Sequence, residues 1–138
     1  MTSGILSWAA AAFAFSTLLA STTVVAAPLL RCQVAYAGTT HTIETSPVAD
    51  PYPVPSVDIG GRFRFKAVMV GSAARVDRIV IYAYLDTKRQ PILVQQAKYL
   101  PPYIVSQTPY QLTGNQHLYA GVVERELMYS CTLQGIQS

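Results

Sequence analysis

"RFRFKAVMVGSAARVDRIVIYAYL", residues 62–85, decides the fold. Two alternating runs flank a short small-residue segment. In the first run Phe63, Phe65, Ala67 and Met69 fall on one face, and Arg62, Arg64, Lys66, Val68 and Val70 on the other. In the second, Ile79, Ile81, Ala83 and Leu85 oppose Arg78, Val80, Tyr82 and Tyr84. A period of two belongs to a strand, not a helix. The stretch therefore predicts a hairpin with one apolar face turned inward. For both apolar rows to enter the core, paired residue numbers must sum to an even value, because a one-residue slip would turn the cations inward. With 71–75 as the loop, Val70 pairs with Val76 and Phe65 with Ile81. Outside, Arg64 then sits beside Tyr82, and Arg62 beside Tyr84.

The flanking sequence continues in the same style. "CQVAYA" (32–37) alternates, and Ala37-Gly38 turns it into "TTHTIET" (39–45). "SPVADPYPVPSVDIGG" follows, with prolines at 47, 51, 53 and 55. Each proline removes a ladder donor, so this segment is a loop or an edge, not a central strand. After the hairpin come "ILVQQAKYL" (92–100), a Pro101-Pro102 break, "YIVSQTPYQLTGNQ", "HLYAGVV" (117–123) and "LMYSCTLQ" (127–134). About seven short strands with turn signals between them predict an all-β, antiparallel β-sandwich or small barrel. Glu124-Arg125-Glu126 interrupts an apolar stretch, and a turn or bulge is expected there rather than a buried arginine; the alternative is one continuous strand with a functional Arg125 on the inward face of Tyr129 and Cys131.

The N-terminal thirty residues are different. Met1 to Leu30 carries no charged side chain, and all ten Lys/Arg and all seven Asp/Glu follow. An apolar run ahead of small residues reads as a secretory signal over 1–26, with cleavage before Ala27. The competing reading is an uncleaved anchor, since the run is long enough to span a bilayer. A lipid anchor at Cys32 is disfavoured because Arg31, not a small residue, precedes it. Residues 27–138 then form a single β domain. The net charge of +3 permits an anionic partner without requiring one.

The chain has two cysteines, Cys32 near the start of this domain and Cys131 near its end. In an exported chain an even count pairs by default, so a Cys32–Cys131 disulfide is expected to tie the terminal strands together. The two cysteines and His41 and His117 lack zinc-site spacing, so no metal is expected. Met69 reads as core, and Ala27-Pro28-Leu29 lacks a third-position histidine, which argues against copper. No cofactor pattern or nucleophile motif occurs. His41 and His117 read as exposed or hydrogen-bonded sheet residues, so no enzymatic role is expected. "DPYPVPS" and "LPPYIVSQTPY" read as rigid loops packed on the sheet, with tyrosines as covers; the alternative is an extended, partly ordered surface offered to another protein.

"GSAARV" followed by "YLDTK" resembles the small periplasmic lysozyme inhibitors of the MliC type, which implies a disulfide-bearing β-barrel. Ala73 and Arg89 stand where that family would have glycines, and the likeness is confined to these segments, so it assigns no membership. Tyr129 two residues before Cys131 matches the immunoglobulin tyrosine corner, but residues 27–138 hold no Trp and the cysteines are too far apart for that fold.

The expected function is an exported, periplasmic or secreted, non-catalytic envelope accessory or protein-binding module. One alternative is a binder of an anionic envelope polymer through Arg62, Arg64, Lys66, Tyr82 and Tyr84, where rings stack and cations pair. Another is a small inhibitor of a hydrolase such as lysozyme. No nucleic acid partner is expected, and membrane contact only through an uncleaved N-terminal segment.

Overall fold

The computed structural model describes residues 3–4, 16–122 and 125–138. It holds ten strands and, among those residues, no helix. Residues 1–2 and 5–15 of the expected signal lie outside the described residues. Among the described residues no helix is long and apolar enough to cross a membrane. The strands are β1 Leu29–Tyr36, β2 Thr39–Thr45, β3 Pro47–Val48, β4 Val57–Ile59, β5 Phe63–Gly71, β6 Val76–Leu85, β7 Ile92–Tyr99, β8 Tyr110–Gln111, β9 Gln116–Ala120 and β10 Arg125–Gln134.

They form two sheets. One has the order β2-β1-β10, with β8 and β9 sharing the remaining edge of β10. The other has the order β5-β6-β7, with β3 and β4 sharing the remaining edge of β5. The inward rows are the alternating apolar positions of the sequence. Leu30, Cys32, Val34 and Tyr36 on β1 and Leu127, Tyr129, Cys131 and Leu133 on β10 meet Phe63, Phe65, Ala67, Met69, Ile79, Ile81 and Ala83 of the other sheet in one buried cluster. Burying each large side chain contributes about 1.5–3 kcal/mol. Two edge-to-face aromatic pairs lock the sheets together: Tyr36 with Phe63 at 5.4 Å and Phe65 with Tyr129 at 5.2 Å.

The fold is the expected all-β sandwich, with two corrections. There are ten strands rather than about seven, and β3 pairs with β5 in parallel, so the second sheet is mixed. The extra strands are β3, β4 and β8, of two, three and two residues. Such pieces are too short to show alternation. β3 contains Pro47, and it lies at an edge, where a missing donor costs no ladder bond.

The central hairpin keeps the expected faces but shifts its register. Phe65 pairs with Ala83, Arg64 with Tyr84 and Lys66 with Tyr82, two residues from the expected partners. The turn is tighter than expected. Ser72 N donates to Arg75 O at 2.8 Å, and Arg75 N returns to Ser72 O at 3.3 Å, leaving only Ala73 and Ala74 as the loop. Continued along the strands, that turn would give an odd pairing sum and mismatch the faces. The register shifts between Gly71, which pairs with Val76, and Val70, which pairs with Arg78, so that Asp77 is the extra residue of a β-bulge. The bulge restores the even sum. A side chain on Gly71, at φ +153°, would collide with the Arg75 carbonyl oxygen.

The disulfide forms as expected. Cys32 and Cys131 face each other in the β1–β10 ladder, with Cα atoms 4.0 Å apart, and both are fully buried. The bond joins neighbours within one sheet rather than bridging the two. The expected turn at 124–126 is corrected: Arg125 and Glu126 belong to β10 and pair with Ala120 and Tyr119. Glu124 lies outside the described residues.

Candidate functional site

The outer face of the β5–β6 hairpin divides in two. Toward Gly71, Val68, Val70 and Val80 are buried, and Pro51 and Tyr52 line the same hollow. The proline-rich segment thus closes the apolar half of a face that the alternation alone places in solvent. Toward Phe63 lies the basic and aromatic half. Lys66 Nζ sits 4.8 Å from the centre of the Tyr82 ring. Tyr82 and Tyr84 stack with centroids 6.2 Å apart and planes 13° from parallel. Partial burial, and then the neighbouring Tyr82, push the Tyr84 phenol above the usual tyrosine value.

Arg64 is the most constrained cation here. Its Nε donates to Ser56 Oγ at 2.8 Å and its Nη2 to the Ser56 carbonyl at 3.3 Å, while Nη1 lies 3.7 Å from Asp86 Oδ2. The structure brings Arg64, Lys66, Tyr82 and Tyr84 together as expected. Arg62 is not among them. It lies in the β4–β5 turn, where its backbone bonds to Ile59 and Asp86, and its side chain lines a cavity at the end of the sandwich.

The segment after β7 forms a different surface. Tyr103 Oη donates to the Tyr99 carbonyl at 2.6 Å, and Ile104 N donates to Tyr110 Oη at 3.1 Å. Gly135 N donates to the Ser106 carbonyl at 2.8 Å, which fastens the segment to the chain end after β10. Tyr103 and Tyr110 pack on the core, and burial raises both phenols. These are the tyrosine covers expected of "LPPYIVSQTPY". Tyr52 of "DPYPVPS" is not: it is 92% exposed. The anchored backbone leaves Leu100, Ile104 and Val105 pointing outward, each more than half exposed. Alternation could not reveal this, because the segment is not a strand.

Cys32 and Cys131 are joined, leaving no free thiol. His117 Nδ1 lies 2.6 Å from Glu126 Oε1 across the β9–β10 ladder, on an exposed surface. His41 sits within β2, opposite Val34. Met69 is fully buried. Among the described residues no three His, Cys, Asp or Glu side chains cluster as metal ligands.

Comparison with protein-family models, with curated proteins and with solved structures finds no match to this chain.

Proposed function

We propose that the chain is an exported, non-catalytic binding module of the cell envelope that acts through a protein partner. The observation that carries this reading is the exposed apolar triplet Leu100, Ile104 and Val105 on a segment pinned by Tyr103, Tyr110 and Ser106. Exposed apolar side chains on a preordered backbone are what a partner surface offers at low ordering cost. The disulfide fits an oxidising, periplasmic or extracellular compartment. Crosslinking in the intact envelope tests the proposal. A discrete partner is captured by the native chain and lost with I104D and V105D at unchanged melting temperature. Capture that survives both changes overturns it.

A second reading is favoured by the stacked Tyr82–Tyr84 pair beside Lys66 and Arg64. That face suits an anionic envelope polymer, with rings stacking on its residues and cations pairing with its charges. Binding would weaken steeply with salt and be lost in K66Q with R64Q. Binding indifferent to salt would remove this reading.

A further inference from the structure

At the end of the sandwich opposite the 72–75 turn, both sheets contribute to a cavity of about 640 Å³. The β4–β5 turn supplies Arg62, the β6–β7 loop supplies Asp86 and Lys88, and β10 supplies Arg125. Leu85 and Ala120 give the cavity an apolar wall. Three cations thus face one described carboxylate, and Asp86 also leans toward Arg64 outside.

Arg125 is the decisive residue. It occupies an inward position of β10, in phase with Leu127 and Tyr129. Its Nη1 donates to Tyr36 Oη at 2.7 Å. Its Nε is enclosed and has no hydrogen-bond partner among the described residues. No described carboxylate lies within ion-pair distance of it. A guanidinium keeps its charge and carries five donors. A partly buried guanidinium that spends one donor on a neutral phenol gains charge-assisted hydrogen bonds when an oxyanion enters.

We propose that this cavity binds a small molecule carrying a phosphate or carboxylate group. Arg125 is the inner anchor, and Arg62 and Lys88 supply charge at the mouth. The apolar wall takes the compact body of the ligand, and the volume lies within the range of small-molecule sites. The site lies at the opposite end from Leu100, Ile104 and Val105, so it stands or falls independently of the protein-partner reading.

An NMR titration tests this on the isotopically labelled, oxidised full chain, in non-ionic detergent. Sodium phosphate and sodium acetate are added in separate arms, each against sodium chloride of equal ionic strength. The proposal expects saturating shifts at the amides of Gly61, Arg62, Thr87, Lys88 and Gly121 in at least one arm, and that arm names the group. R62Q with K88Q, both at exposed positions, weakens binding about tenfold or more while the rest of the spectrum is retained. R125Q abolishes it. Shifts that fail to saturate in both arms, or that survive the double change, overturn the proposal, whether or not R125Q folds.

Discussion

The Tyr129 hydroxyl on β10 donates to Gln95 Oε1 on β7 at 2.5 Å, so one hydrogen bond crosses from sheet to sheet. The tyrosine ring is buried and rests edge-on against Phe65. Y129F keeps the ring and removes the hydroxyl. The expected loss is about 1 kcal/mol of unfolding free energy, or roughly 4 °C in melting temperature. Combining Y129F with Q95A separates this bond from the general cost of each change. A coupling of zero would show that the contact adds nothing.

Alkaline pH acts on the same residue. Burial, and then the nearby Tyr99, raise the Tyr129 phenol well above its ordinary value of 10.0. Burial also raises Tyr99, Tyr103 and Tyr110. The folded state therefore holds these protons after the unfolded chain has released them. The associated stability is complete below the unfolded tyrosine value and is lost as pH rises above it toward the folded values. Denaturant midpoints are expected to stay flat with respect to these groups up to about pH 9 and to fall steadily above about pH 10. Tyrosinate absorbance should show a late fraction that appears only with unfolding. Full ionisation at an ordinary tyrosine value, with the fold intact, would contradict the burial.

The disulfide and the N-terminus share one measurement, intact mass before and after reduction. Cleavage before Ala27 leaves the sandwich whole, because Pro28 is buried and β1 begins at Leu29. It also keeps Ala27, whose carbonyl oxygen would lie 2.5 Å from a Cβ on Gly135. A mass beginning at Ala27, two hydrogens lighter until reduced, is expected. Both sulfurs are fully buried, so reductant alone should act slowly and denaturant should speed it. C32A with C131A is expected to cost about 2–5 kcal/mol, given the 99-residue separation of the bridge. A full-length mass would instead mean that the domain remains tethered by its apolar segment.

What the sequence made legible follows from alternation. Phe63, Phe65, Met69, Ile79 and Ile81 all reach the core because a period of two fixes the face of each strand. The cysteine pair is legible from the even count. Three features escaped because they depend on distant chain. Alternation puts Val68, Val70 and Val80 in solvent, but the proline-rich segment lies beside them and they are buried. Arg62 continues the alternation of the sheet face, but the ladder begins at Phe63. Arg125 turns inward because Tyr36, 89 residues away, receives it.

The hairpin register gives the sharpest test, because there alternation fixed the parity but not the pairing. The turn at Ala73-Ala74 imposes one parity and the apolar faces demand the other, with Asp77 reconciling them. Deleting Asp77 removes the extra residue, so the turn at Ala73-Ala74 runs directly into the observed pairing of Val70 with Arg78 and Met69 with Ile79. Turn and apolar faces then agree without a bulge, and the cooperative thermal transition is expected to survive within about 4 °C of the native chain. Deleting Arg78 as well sets Val70 against Ile79, so that either the turn opens or the Arg64–Lys66 row swings toward the core, where an unpaired charge costs several kcal/mol, and the transition is expected to be lost. G71A attacks the same junction sterically, driving a methyl group into the Arg75 carbonyl, with a loss of about 1–3 kcal/mol. If the single deletion abolishes the transition while the double deletion retains it, Asp77 is not the residue that reconciles turn and faces.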